Sequence, residues 1–94
     1  MIKDNAIKLA EAELENSKDK YNPIDCAILK NETIEKNWGW IFFYQSKAYI
    51  ESGDFRDMLG GNAPIFVNNE TGAVSYAGTA YDIEYYIKEY EASL

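Results

Sequence analysis

Trp38–Lys47 reads WGWIFFYQSK, and its pattern decides the fold. Aromatic and branched residues dominate it, as in a pleated, buried strand. Side chains alternate along a strand, so Trp38, Trp40, Phe42 and Tyr44 point one way and Ile41 and Phe43 the other. An antiparallel sheet with one wet face would place polar residues at every second position. This strand is apolar on both faces, so both must be covered. The connection Ala48–Ala63 is the expected second cover, with Tyr49, Ile50, Phe55, Met58 and Leu59 as its packing residues. The alternative is another chain, either a homodimer or a partner, because large apolar patches are rarely left open.

Upstream, IDCAILKNETIE (Ile24–Glu35) alternates with Ile24, Cys26 and Ile28 on one face and reads as a strand. A turn at Glu35-Lys36-Asn37 leads into the aromatic strand. Before it, Ile2, Ala6, Leu9, Ala10 and Leu14 share one side of a helix, and Asp4, Lys8, Glu11 and Glu15 the other. Pro23 biases Asn22 away from helical angles and ends that helix. Downstream, one helical turn is expected near Phe55–Leu59. Ile65–Val67 is a third strand, NNETG a hairpin loop with Gly72 at positive φ, and AVSYAG a fourth strand. The last segment is a helix with a Thr79/Asp82 capping box and an apolar stripe of Ile83, Tyr86, Ile87, Tyr90 and Leu94. Glu84 and Lys88 form an i, i+4 pair on it. Tyr81 and Tyr85 lie on its opposite side, where exposed tyrosines make interface anchors. The fold expected is α+β: one domain over residues 1–94, a four-stranded antiparallel sheet with an N-terminal and a C-terminal helix packed on it (α-β-β-β-β-α).

The totals set limits. A chain of 94 residues buries roughly 60–65% of its unfolded surface, room for one modest core. Apolar residues at 47% and aromatics at 15% suffice to fill it, and a charged fraction of 27% argues against disorder. The net charge of −7 is uneven. Residues 1–47 carry seven basic and eight acidic side chains; residues 48–94 carry two basic, Arg56 and Lys88, against eight acidic. The second half repels phosphate backbones, which argues against nucleic acid, and attracts basic protein surfaces. The first residues are charged throughout, unlike a signal peptide, and no stretch approaches the ~20 apolar residues of a membrane span. A lone cysteine makes no internal disulfide and suits a reducing compartment. Together these point to a cytoplasmic protein.

Catalytic chemistry finds little support. The chain has no histidine, the commonest base near neutral pH and the commonest zinc ligand. Cys26 sits in an apolar strand pattern and reads as a buried structural thiol. Glu51, Asp54 and Asp57 cluster around a turn but lack the spacing of a calcium loop. No pair of carboxylates is marked for glycoside hydrolysis. GGNAPIFVNNETG (Gly60–Gly72) holds glycines, but a strand follows them and no lysine, so it is no phosphate loop. It reads as a corner: Gly60 and Gly61 permit unusual angles, Asn62 bonds nearby backbone, and Pro64 opens a strand where its missing N–H does least harm. No catalytic residue, metal or cofactor is expected.

GWIFFYQSKAYIESGD, LGGNAPIFVNNETGAV and GTAYDIEYYIKEYE, in this order, resemble the YrhB-like immunity proteins (the immunity protein 35 family) of bacterial polymorphic toxin systems. The resemblance spans Gly39–Glu91. Its motif residues are Gly39 and Trp40; Ser52, Gly53 and Asp54; Gly61, Asn62, Ala63 and Pro64; Thr71 and Gly72; Gly78 and Thr79; and Tyr86, Tyr90 and Glu91. It implies a small cytoplasmic, non-catalytic protein that protects its maker from a cognate toxin. Asn68 departs from the pattern, which calls for an acidic residue after the third strand. On this reading Glu51, Asp54, Asp57 and Glu89 would steer a basic toxin face, and Tyr81 and Tyr85 would supply contact area. The alternative, from another class, is a chaperone-like or fold-stabilising protein binding apolar segments through the aromatic strand.

Overall fold

A computed structural model describes residues 1–18, 24–60 and 62–94. Its elements are α1 (Lys3–Asn16), β1 (Cys26–Ile28), β2 (Ile34–Lys36), β3 (Gly39–Phe42), β4 (Tyr44–Ser46), α2 (Lys47–Ser52), β5 (Ile65–Asn68), β6 (Val74–Tyr76) and α3 (Ile83–Ala92). The fold is α+β, with a helix at each end of the chain and a four-stranded antiparallel sheet in the order β2-β3-β5-β6. A second, two-stranded antiparallel ribbon pairs β1 with β4.

The four-stranded sheet is as expected; the ribbon is an addition to it, and the strands are divided differently along the chain. The segment Ile24–Glu35 is two strands interrupted by a 3₁₀ turn at Lys30–Glu32, and they belong to different sheets. The aromatic strand likewise divides at Phe43. Phe42 faces Ile65 in the large sheet, whereas Tyr44 faces Ile28 in the ribbon. Phe43 is the crossover, and its carbonyl accepts from the Leu29 amide at 2.8 Å. The turn before β3 is Asn37-Trp38, not Glu35-Lys36-Asn37, because Lys36 already pairs with Gly39.

Both faces of the sheet are covered, and the covers are the two terminal helices. Phe42, Ile65 and Val67 form one core with Ala6, Ile7, Ala10 and Leu14 of α1. Ile41 and Phe66, one step along the same strands and so on the opposite face, form a second core with Trp38, Ala77 and Ile87 of α3. Each fully buried side chain of this kind stabilises by about 1.5–3 kcal/mol relative to exposure. The connection does not cover the sheet: Ile50, Phe55 and Met58 are exposed. α3 covers the face assigned to it or to another chain. Trp38, expected beside Trp40, packs on the α3 side because it sits in the turn, outside strand alternation.

The helix readings need four amendments. Ile7 is buried in α1, whereas Ile2 is exposed. The Thr79/Asp82 capping box does not form; α3 begins at Ile83, and Asp82, its N-cap, makes no side-chain bond. Leu94 is exposed beyond the end of α3, and Glu84 and Lys88 form no ion pair. The stop assigned to Pro23 and the corner glycine Gly61 lie outside the described residues.

Two glycines are forced. A Cβ at Gly39 would lie 1.9 Å from the Val67 carbonyl oxygen, so the β3–β5 approach excludes every other residue. Gly72 has φ +71°, the left-handed turn expected of the NNETG loop.

Candidate partner-binding surface

The acidic loop after β4 is built by short polar side chains. Ser46 caps α2, its Oγ accepting from the Tyr49 amide at 3.0 Å. The same hydroxyl donates to the Asp57 carbonyl. Buried Gln45 accepts from the Leu59 amide at 2.6 Å and donates to the Leu59 carbonyl at 3.3 Å. Asn62 donates to the Tyr44 carbonyl at 2.6 Å. The loop is thereby clamped against β4, and Pro64 leads into β5 with its carbonyl accepting from Ala77. Three of its exposed apolar side chains, Ile50, Phe55 (80% exposed) and Met58, stand among the acids.

Those acids are not equivalent. Asp54 is bound by Arg56 through both its backbone amide at 2.9 Å and its guanidinium at 2.6 Å. The guanidinium holds this carboxyl below the usual range. Asp57 accepts from the Ser52 hydroxyl at 2.8 Å. Glu51 is exposed on α2, which Gly53 terminates. The loop's negative charge is therefore partly spent internally.

A second cluster stands at the start of α3. Tyr81 (63% exposed) and Tyr85 (47%) lie ring to ring, centroids 4.5 Å apart, and Tyr86 meets Tyr85 edge-on at 5.2 Å. The Tyr86 hydroxyl accepts from the amides of Ala80 and Tyr81 at 3.0 and 3.2 Å, which ties the loop ahead of α3 to the helix. Gly78 makes room for it, since a Cβ there would lie 2.5 Å from that hydroxyl. Thr79 is exposed in the same loop. Glu89, one turn beyond Tyr85, raises the phenol's pKa by its negative charge and hydrogen bond. Tyr81, Tyr85 and Glu89 thus form one group; Glu51, Asp54 and Asp57 form another. Among the described residues no hydrogen bond, ion pair or ring contact joins the two.

Tyr86 packs against the α3 core as its place in the apolar stripe implied, but the use of its hydroxyl was not foreseen; Gly78, the one residue without a side chain in that approach, was its signal. The sequence reading also missed the bond from Trp38 Nε1 to the Glu91 carboxylate at 2.9 Å, which ties the β2–β3 turn to the end of α3. Asn68, where the resemblance calls for an acidic residue, caps the β5–β6 loop by accepting from the Glu70 and Thr71 amides at 2.9 and 3.1 Å. An aspartate would accept the same bonds.

Cys26 is half-buried rather than enclosed, and burial and Asp25 push its thiol up, away from thiolate. It lines a cavity of about 320 Å³ with Tyr44 and Lys18, whose ammonium is held by Asp25 and by Glu15. Among the described residues no three His, Cys, Asp or Glu side chains gather as a metal site, and no helix is long and apolar enough to cross a membrane.

Comparison with known proteins places this arrangement. The chain is 36% identical over 53 residues to the protein named "Uncharacterized protein YrhB" of Escherichia coli (strain K12). That match covers 56% of this chain and 56% of the relative, so it spans little more than half of either. No solved structure matches the chain. The model of the family described as Immunity protein 35 matches residues 4–90, from the first turn of α1 to the last turn of α3. Carrying both helices and the whole sheet within that match, the chain belongs to the immunity protein 35 family.

Proposed function

We propose that this chain is a cytoplasmic, non-catalytic binding protein that neutralises a cognate toxin of a bacterial polymorphic toxin system by direct contact. Family membership supplies the class of partner. The observation that carries the binding mode is the exposed Tyr81–Tyr85 pair beside Glu89 on a helix fixed to the sheet by Ile87 and Tyr90. Rigid aromatic rings supply contact area at low entropic cost, and the acidic second half of the chain draws a basic toxin face toward it. Glu51, Asp54 and Asp57 contribute to that field, Asp54 least because Arg56 offsets its charge. The experiment is co-expression with the product of the neighbouring open reading frame, tested first for toxicity by itself. Restored growth supports neutralisation; killing that persists in the presence of folded protein overturns it.

A second reading has one observation in its favour. Ile50, Phe55 and Met58 form an exposed apolar patch suited to chaperone-like capture of unfolded segments. Capture of that kind strengthens or holds with added salt, whereas a charge-steered complex weakens. Binding titrations at low and high ionic strength separate the two.

A further inference from the structure

The large sheet ends in two unlike edges. β2 presents Glu35 and Lys36, and Lys3 holds Glu35 at 3.5 Å. Charged residues on an edge discourage a further strand from pairing there. β6, at the other end, reads Val74-Ser75-Tyr76 and carries no charge. Its backbone is oriented for pairing. The Ala77 amide donates to the Pro64 carbonyl at 2.8 Å and the Asn68 amide donates to the Ala73 carbonyl at 3.0 Å. In the antiparallel register Phe66↔Ser75, this turns the polar groups of Ala73, Ser75 and Ala77 toward β5. Those of Val74 and Tyr76 face outward, and among the described residues no hydrogen bond uses them.

The surroundings of this edge are acidic on both sides. On the α1 face, where α1 packs against β6, Ser17 and Glu13 are the α1 groups that act on the Tyr76 phenol, Glu13 through its negative charge. On the α3 face a groove of about 450 Å³ runs beside Ser75, with Tyr86 and Tyr90 as its aromatic wall and Glu89 as its charged group. A second copy of this chain paired edge to edge would set these acids against their own copies, in a molecule already at −7. A strand bearing cations meets both carboxylates favourably and lays its alkyl stems on the tyrosine rings.

We propose that the outer edge of β6 receives an extended, lysine- or arginine-bearing segment of a partner protein as an added antiparallel or parallel strand, with Glu13 and Glu89 selecting its positive charge. This deepens the binding reading above, from a surface to a mode of recognition.

The test is amide hydrogen exchange followed by NMR, with an eight-residue peptide of lysine pairs and valine pairs in turn, which puts lysines on both faces of a strand, blocked at both ends, at millimolar concentration. The same peptide with glutamate in place of lysine is the control. The Lys–Val peptide is expected to slow exchange at Val74 and Tyr76 by about tenfold while leaving Glu35 on β2 unchanged. The control peptide is expected to do nothing, and Glu89→Gln to reduce the protection. Val74→Pro removes an outward amide without touching the β5 ladder and should abolish it. Equal protection by both peptides, protection of β2, or no protection at all overturns the proposal. So does protection of Val74 and Tyr76 that rises with protein concentration in the absence of peptide, which would mean self-pairing. Toxin neutralisation is read separately by growth, so either idea can fail while the other stands.

Discussion

On the α1 face of the sheet, Ala6 and Ala10 have no exposed surface, and their small side chains let the helix lie close over Phe42, Ile65 and Val67. On the α3 face the packing is ring against ring: Trp38 to Tyr90 at 4.4 Å, Trp38 to Phe66 at 5.7 Å, and Phe66 edge-on to Tyr90 at 5.0 Å. The first face sets aliphatic side chains around one fully buried ring, Phe42. The second keeps phenol hydroxyls and an indole N–H within reach of polar partners, and its outer tyrosines remain in solvent. Residues one step apart on the same strands thus serve a helix that only stabilises and a helix that also displays.

The hardest test of that division is Phe42→Ala. It opens a cavity under α1 in a fully closed core, and a loss of about 3–5 kcal/mol is expected in urea denaturation. A loss below about 1 kcal/mol would mean that the α1 face is not the stabilising one.

Alkaline pH tests the same face where β4 joins it. Burial, followed by the neighbouring Tyr76 and Cys26, pushes the Tyr44 phenol up to about 12 from an ordinary value near 10. Between those values the unfolded chain has released this proton and the folded chain has kept it. Stability is therefore fully present below about pH 10 and falls as pH rises toward 12, by no more than about 2 kcal/mol. Tyr76 and Tyr85 are also raised, so the fall is assigned by comparison with Tyr44→Phe, which should flatten part of the curve. Identical pH–stability curves for the two proteins would remove Tyr44 from the account.

Trp38→Phe addresses the α3 face. It keeps most of the ring contact and deletes the indole N–H that donates to Glu91, at an expected cost of about 1–2 kcal/mol, and the double variant with Glu91→Ala is expected to cost less than the two single variants added together. A double-mutant cycle measures the coupling directly; additive costs would show that the bond contributes nothing.

How much of this was written in the chain depends on the range of the interaction. Periodicity gave α1 and α3 because a helix face is local, and Gly72 marked the β5–β6 loop because its backbone angle is local too. The alternation of Ile41 against Phe42 correctly separated two faces. What covers each face is set by pairings distant in sequence, and these left no local mark. The break at Phe43 is of the same kind: Phe42 pairs 23 positions ahead and Tyr44 16 positions behind, and no property of Phe43 announces the change. α2 was legible and overlooked, since Ser46 before it and Gly53 after it are ordinary start and stop signals. At the candidate surface, exposure of Tyr85 followed from the helix stripe, whereas Tyr81 is exposed in the turn ahead of α3 and not on the helix where it was expected. The internal use of Asp54 by Arg56 depends on a turn geometry that composition does not reveal.

Asn68 gives a smaller effect with a sharp sign. Its Oδ1 takes two amides that would otherwise go unpaired, so Asn68→Ala should cost about 1 kcal/mol while Asn68→Asp stays within about 0.5 kcal/mol of the parent. Thermal denaturation of the pair checks whether the acidic residue that the resemblance calls for and this asparagine do the same job. Equal losses would show that the side-chain oxygen is not what matters.

Tyr85→Ala should hardly move stability at all, by about 0.5 kcal/mol or less, because half of the ring is already in water and its burial falls on Tyr81 and Tyr86 rather than on the sheet. Its effect belongs to the complex. A tyrosine at the centre of a protein interface commonly contributes 1 kcal/mol or more, roughly tenfold in affinity at the upper end of 1–2 kcal/mol. Isothermal titration against the partner proposed above, beside a melting curve of the free protein, reads both quantities from one variant. Weaker binding with an unchanged melt is what a displayed side chain predicts. A lowered melt with unchanged binding would return Tyr85 to the core and make the α3 face a second structural face, no different in kind from the first.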